Sequence, residues 1–275
     1  MDEIFTTLAQ CIRDEDPVAL ATVIERTDVV RGRNTLLPQL GATLLVSQAV
    51  GVRGSLGHDK LDAVVAGDAT GALSSGQSVA RHYGSAGESR LNDVTVFIDV
   101  FAPPPRMIIF GAVDFTAALV KVAKVLGYHV TVCDAREIFA TKKRFPEADE
   151  VIVGWPDAYL MTVAGRLSAR DAVCVLTHDH KFDIPAIVAA LSTKVGYLGA
   201  MGSRTTHLER VKRLTEAGVA PARLNEIMAP IGLAIGARTP EETAVAICAE
   251  IIARRANAEV RSLRDDTGPI HRVAS

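Results

Sequence analysis

Two rhythms of apolar residues run along the chain, and the change falls at three consecutive prolines, Pro103-Pro104-Pro105. Before them, Ile4, Leu8, Cys11 and Ile12 recur at helical spacing and predict an amphipathic helix that Pro17 ends. Residues 18–25, VALATVIE, and 41–47, GATLLVS, read as strands, and 52–57, VRGSLG, as a short third piece. From Lys60 to about His82, the positions Leu61, Val64, Val65, Ala69, Leu73 and Val79 predict a helix, which Gly67, Gly71 and Gly76 weaken. Residues 94–101, VTVFIDVF, read as the strand that closes a small α+β unit.

Past the prolines, strand and helix patterns alternate strictly. RMIIF (106–110) has the length and branching of a buried parallel strand. A helical run at 115–127 and the strand HVTVCD (129–134) follow. Further strands are predicted at 150–155, 172–178 and 194–199, and helices at 158–167, 184–192, 204–218 and 240–256. The last helix has Thr239 as cap, Pro240 at its first position and acids in its first turn. The expected fold class is therefore α/β. A small N-terminal α+β domain (1–102) and a proline link (103–105) precede a Rossmann-like doubly wound parallel-sheet domain (106–258), with a loosely held tail at 259–275.

Composition narrows the functional classes. The 275 residues are 48% hydrophobic and 23% charged, enough to build ordinary cores. Thirty basic residues against 32 acidic ones leave a formal charge of -2, which lacks the positive field that nucleic-acid binding uses. No apolar run approaches the ~18 residues of a membrane span, and the acidic N-terminus does not read as a secretion signal. The expectation is a soluble cytoplasmic protein without nucleic-acid or membrane partners. Its four cysteines are far apart, with no C-x-x-C pair, and read as small buried hydrophobes rather than as disulfides or a zinc site.

Candidate chemistry lies in the second half. The turn after the first parallel strand keeps Gly111, but Val113 and Thr116 stand where G-x-G-x-x-G/A places its second glycine and its last position. A branched Val113 would crowd an approaching pyrophosphate, so NAD(P) binding is doubtful. Asp134 ends the second strand, where it either bonds a ribose hydroxyl or caps the turn before Ala135-Arg136. His178, Asp179 and His180 follow a buried strand. They either contribute to a metal site or satisfy loop backbone and the next helix start. Tyr197–Thr205 runs from a strand through Gly199 and Gly202 to a Ser203 cap with Arg204 in the first helical turn. It aims amides and a guanidinium at one place, suited to an anion such as phosphate. Ala229–Ala237, apolar and glycine-rich, reads as a packed loop or one that shapes a ligand surface.

In order and spacing, CVLTHDHKFD, YLGAMGSRTTH and APIGLAIGARTPEETAVAICAEIIA resemble the xanthine dehydrogenase accessory family, the XdhC/CoxI-like proteins. The N-terminal half resembles it more loosely, through ALATVIE, GATLLV and VRGSLG. The resemblance implies a maturation factor rather than a metabolic enzyme. Such a factor binds molybdenum cofactor as cargo, assists its sulfuration by a cysteine desulfurase and delivers it to a molybdenum hydroxylase client of the xanthine or carbon monoxide dehydrogenase type. It further implies a homodimer. On this reading Gly111, Asp114, Asp134, His178, Gly199, Gly202, Ser203 and Arg204 contact the cofactor, with His58 and His180 also candidates to line the site, and no residue is catalytic. The chain departs from the family pattern at Gly54-Ser55-Leu56-Gly57-His58, where many relatives have Ser-Gly-Gly-Cys, and at Gly111-Ala112-Val113-Asp114, where many have G-x-G-H. An NAD(P)-dependent oxidoreductase and a non-catalytic nucleotide-binding scaffold are the alternatives.

Overall fold

The computed structural model describes residues 2–27, 38–88 and 91–265. Two compact units divide the chain between Pro104 and Pro105. The expected tail lies partly outside the described residues. Its described part, up to Asp265, is exposed and holds a short 3-10 turn at Leu263–Asp265.

In the first unit, helix α1 (Asp2–Arg13) is followed by β1 (Val18–Arg26), β2 (Thr43–Ser47), β3 (Gly51–Gly54), α2 (Asp59–Ser75), β4 (Val79–Tyr83) and β5 (Val94–Phe101). The strands form one antiparallel sheet in the order β3-β2-β1-β5-β4. Alternate residues of β1 face opposite ways, as the pleat requires. Ala19, Ala21 and Val23 pack with Leu61, Val65, Ala69 and Ala72 of α2. Val18 and Leu20 pack with Leu8 and Cys11 of α1. The helix expected to run to His82 stops at Ser75, because Gly76 turns into the left-handed region (φ 69°) and donates its N–H to the Ala72 carbonyl. The chain is then free to form edge strand β4, which helical periodicity alone merges with α2. His58 caps α2, its Nδ1 accepting from the Lys60 amide at 3.2 Å.

The second unit runs β6 (Arg106–Phe110), α3 (Asp114–Val125), β7 (His129–Asp134), β8 (Glu150–Val153), α4 (Pro156–Val163), β9 (Ala172–Val175), α5 (His180–Leu191), β10 (Tyr197–Ala200), α6 (Arg204–Glu216), α7 (Pro221–Leu224), β11 (Ile227–Met228) and α8 (Pro240–Arg255), so the expected strict alternation is broken where β7 passes to β8 without a helix and where α7 follows α6. All six strands are parallel, in the order β11-β10-β9-β6-β7-β8. Renumbered from β6, that is the 3-2-1-4-5-6 order of doubly wound dinucleotide-binding sheets. Met107 and Ile109 pack against the α3/α8 layer. Ile108 and Phe110 pack with Leu160, Ala186, Ile187 and Leu214 from α4, α5 and α6. Burial on both faces explains why these strands read as continuous apolar runs.

The strand order reverses between β6 and β9, and there the chain passes through a tight contact. Gly111 has φ 109°, and a Cβ on it would lie 2.9 Å from the Thr177 nitrogen. Its own N–H donates to the Cys133 carbonyl at 3.0 Å. Gly111→Ala combines a disfavoured backbone angle with a clash against backbone. It is expected to destabilise the unit by about 2 kcal/mol or more, read as a lower urea midpoint. An unchanged midpoint would show that the two loops yield freely.

Candidate functional site

Ligands of open α/β sheets bind outside the carboxyl ends of the strands, beside the point where strand order reverses. At the β6 end, the groups that would receive a pyrophosphate are engaged within the protein. The Ala112 amide donates to Asp134 Oδ2 at 2.8 Å. Thr116 Oγ1 accepts a long bond from the Val113 amide at 3.4 Å and donates to the Gly111 carbonyl. Val113 occupies the cap position of α3 but has no acceptor in its side chain, so the Thr116 hydroxyl closes the turn instead. Arg144 Nη1 donates to the Ala112 carbonyl at 3.0 Å and to the Phe139 carbonyl at 3.3 Å.

Asp134, buried at the end of β7, is equally occupied. Its oxygens accept from the Arg136 amide at 2.9 Å and from Arg136 Nε and Nη2 at 2.9 and 2.7 Å. Burial alone would raise the Asp134 carboxyl. The Arg136 guanidinium and the Ala112 amide outweigh it and hold the group below the usual carboxylate range. The Asp114 side chain is 91% exposed at the start of α3, with Arg144 Nη2 3.7 Å away. The Phe139 ring lies under both guanidinium groups, 4.6 Å from that of Arg136 and 5.6 Å from that of Arg144.

Across the reversal, β9 leads into Thr177, His178 and Asp179. Asp179 caps α5 by accepting from the Lys181 amide at 3.1 Å, and His178 is exposed. Among the described residues no group of three His, Cys, Asp or Glu side chains is arranged to hold a metal. Beneath this loop lies a network that no motif in the sequence announces. Asp183 of α5 and Arg210 of α6 are both 0% exposed and pair at 3.0 Å. Asp183 Oδ1 also accepts from the Thr177 hydroxyl. Arg210 Nη2 donates to the Met201 carbonyl at 2.8 Å, while its Nε and Nη1 have no partner among the described residues. Burial lifts the Asp183 carboxyl above its ordinary value, against the pull of Thr177 and Arg210. Burial and the Arg210 charge together lower the His207 imidazole.

The network ends at the connection with the anion-binding signature. Strand β10 runs through Ala200, so Gly199 lies inside the sheet, where its missing side chain makes room for Ile231. The free turn is Met201-Gly202-Ser203. Gly202 has φ 142°, and a Cβ there would press on Thr206 at 3.1 Å. Ser203 caps α6 by accepting from the Thr206 amide at 3.1 Å. Arg204 is exposed as the first helical residue. The first amides of such a helix have no intrahelical acceptor and carry its positive dipole end.

Gly199, Gly202, Ser203 and Arg204 thus share one strand–helix connection. His178 stands on the adjoining β9 loop, and Gly111, Asp114 and Asp134 on the β6 and β7 ends. Near the β8 end, Trp155 packs on Phe182 (ring centroids 5.0 Å apart) with Lys181 Nζ over both rings. A cavity of about 210 Å³ lies toward the amino ends of the strands, lined by Leu191, Gly196, Leu198, Arg223, Glu226 and Arg254, and none of the candidate cofactor-contact residues lines it.

Six parallel strands in this order, with the loop motifs gathered at their carboxyl ends, define a Rossmann-type unit. The family model of the XdhC Rossmann domain matches residues 107–251, more than half of the chain, and the chain belongs to the XdhC family. Over 160 residues it is 36% identical to a probable xanthine dehydrogenase component of Bacillus subtilis, covering 58% of this chain and 46% of the relative. Over 103 residues it is 32% identical to the molybdenum cofactor insertion chaperone PaoD of Escherichia coli, covering 38% and 32%. The chain spans about half or less of the length of these curated relatives. A solved structure of a xanthine dehydrogenase from Bacillus halodurans shares the fold, with TM-score 0.51 and 20% identity over 96% of this chain and 98% of that one.

Two expectations follow. Arg210→Met strands a buried carboxylate and is expected to cost about 3–5 kcal/mol, whereas Asp183→Leu with Arg210→Met should recover most of that loss. Chemical denaturation of both variants measures the difference, and equal stabilities would mean that the pair carries no coupling. Val113→Gly removes the branched side chain but not the internal bonds of the turn, so calorimetry with NAD+ should detect no binding. Micromolar binding would show that steric crowding alone had blocked the site.

Proposed function

We propose that this chain is an accessory factor that receives molybdenum cofactor and assists its insertion into a molybdenum enzyme of the xanthine dehydrogenase type. The reading rests above all on the likeness of 103 residues of this chain to PaoD, whose name records insertion of that cofactor. The geometry supports it. A pterin phosphate needs amides and a cation, and the Met201–Arg204 turn offers both at the sheet's carboxyl edge. The finer parts of the proposal are sulfuration of the bound cofactor by a cysteine desulfurase, action as a homodimer, and a cytoplasmic location. The NAD(P)-dependent oxidoreductase alternative is disfavoured by the engaged amides of Gly111, Ala112 and Val113.

Thiol chemistry of this chain has no part in the proposal. Cys11, Cys133, Cys174 and Cys248 are all buried, none more than 3% exposed. Burial pushes the Cys133 thiol up to about 12 and the Cys248 thiol to about 11, and raises Cys11 and Cys174 as well. Nucleophiles and metal ligands are thiolates, which these environments oppose. On this reading no cysteine of this chain carries the sulfur. Anaerobic equilibrium binding of molybdenum cofactor, with NAD(H) and ATP in parallel, tests the proposal. Stoichiometric binding at micromolar or tighter affinity, weakened by Arg204→Ala and insensitive to iodoacetamide, is expected. Failure to bind at high concentration would remove the chaperone reading.

A further inference from the structure

The β6–α3 and β10–α6 turns lie on opposite sides of the strand-order reversal and differ in what they leave free. In the first, the amides of Gly111, Ala112 and Val113 go to the Cys133 carbonyl, the Asp134 carboxylate and the Thr116 hydroxyl, while Arg144 takes the Ala112 carbonyl. A dinucleotide laid across the reversal would need these amides for its central pyrophosphate. In the second, the amides at the start of the 13-residue helix α6 stand beside the exposed Arg204. Below them lies Arg210, fully buried, with Nη2 3.7 Å from where a Cβ of Gly202 would be. Its Nε and Nη1 meet no acceptor among the described residues. The one carboxylate bonded to Arg210 among the described residues, Asp183, is shared with Thr177. Asp183 balances the Arg210 charge, so the net positive charge at the turn is that of the exposed Arg204, and Arg210 adds two donors without an acceptor among the described residues.

We propose that the chain anchors its ligand by a single phosphoryl group at the β10–α6 turn, with Arg210 as the cation beneath it, and that the β6–α3 turn takes no part. The inference rests on the cofactor-handling proposal and narrows it. The recognised end of the cargo is a phosphate monoester, not a pyrophosphate bridge to a second nucleoside. Arg204 and the first α6 amides contact the phosphate. Arg210 is a positioning residue: it holds the Met201 carbonyl back from the anion from beneath Gly202, where any side chain would intrude.

Amide NMR spectra of the full chain test this, with titration by inorganic phosphate and, separately, by NAD+, against chloride at equal ionic strength. Phosphate should shift Gly202–Thr205 saturably and leave Ala112–Phe115 unmoved, and NAD+ should leave Ala112–Phe115 unmoved too. Arg204→Ala should weaken phosphate binding by about tenfold. Arg210→Met within the Asp183→Leu background should do the same while the spectrum stays folded, and Arg204→Ala carries the test alone if that double variant does not fold. Shifts centred on Ala112–Phe115, identical shifts in chloride, or unchanged affinity in the variants that fold would overturn the anchor. Saturable phosphate binding in a chain that does not bind molybdenum cofactor would leave the anchor standing and remove the cargo reading. Cofactor binding that Arg204→Ala does not weaken would do the reverse.

Discussion

A guanidinium group with no access to water must be held by the protein, and the second half of the sheet is arranged around that demand. Arg210 reaches from α6 to Asp183 on α5 and to the carbonyl of Met201, and Asp183 in turn takes the Thr177 hydroxyl. Four segments (the β9 loop, α5, the β10 loop and α6) are thereby tied at one point. Such a pair is a poor source of stability, because desolvating two charges offsets most of their attraction. Its effect is geometric. With both partners fully buried, the two loops have one arrangement that leaves neither charge alone, and that arrangement fixes where the first amides of α6 stand.

The other side of the reversal solves the same backbone problem differently. A strand that enters a helix through a tight turn exposes amides that need acceptors. Around Gly111 they find them within the protein, in a strand carbonyl, the Asp134 carboxylate and the Thr116 hydroxyl, with Arg144 closing the turn from outside. The first turn engages the amides of Gly111, Ala112 and Val113, whereas in the second the Met201 amide goes to the Val175 carbonyl and the Ser203 hydroxyl takes the Thr206 amide. The strand order is that of a dinucleotide-binding fold, yet the chemistry of its two halves is unequal. Fold and site are separate arguments here, as the many functions hosted by this architecture lead one to expect.

The strands that cross the middle of the parallel sheet are legible in the sequence because burial on both faces demands apolar residues at every position. Strand β4 is not. It is an edge strand whose residues alternate between partly buried and exposed, and its Val79 extends the helical spacing of α2 across Gly76. Strand β11, two residues long, offers no period at all. The cap at Ser203 and the glycine at 202 can be read directly, since local backbone geometry selects those residue types. Asp183 and Arg210 cannot. On α6, among Glu209, Lys212 and Arg213, one more arginine reads as another solvated charge, and only its four-residue spacing to the buried Leu214 hints at an inward face. At Val113 the sequence suggests steric crowding alone, whereas the structure adds hydrogen bonds already made.

Buried thiols and an open anion turn together constrain how cargo is gripped. The fold places every cysteine in a core, so the soft ligands that would hold a molybdenum or sulfur centre are withheld from the surface. What the Rossmann unit offers instead is hard, charged and partly exposed, a match for phosphate. Contacts of this kind are individually modest and weakened by salt or by a competing cation. On the reading proposed here, a carrier that grips the phosphate end leaves the metal end for the next protein to take. The absence of a cysteine at Gly54–His58, where many relatives have Ser-Gly-Gly-Cys, is compatible with delivery, because release is as much a requirement of the task as binding.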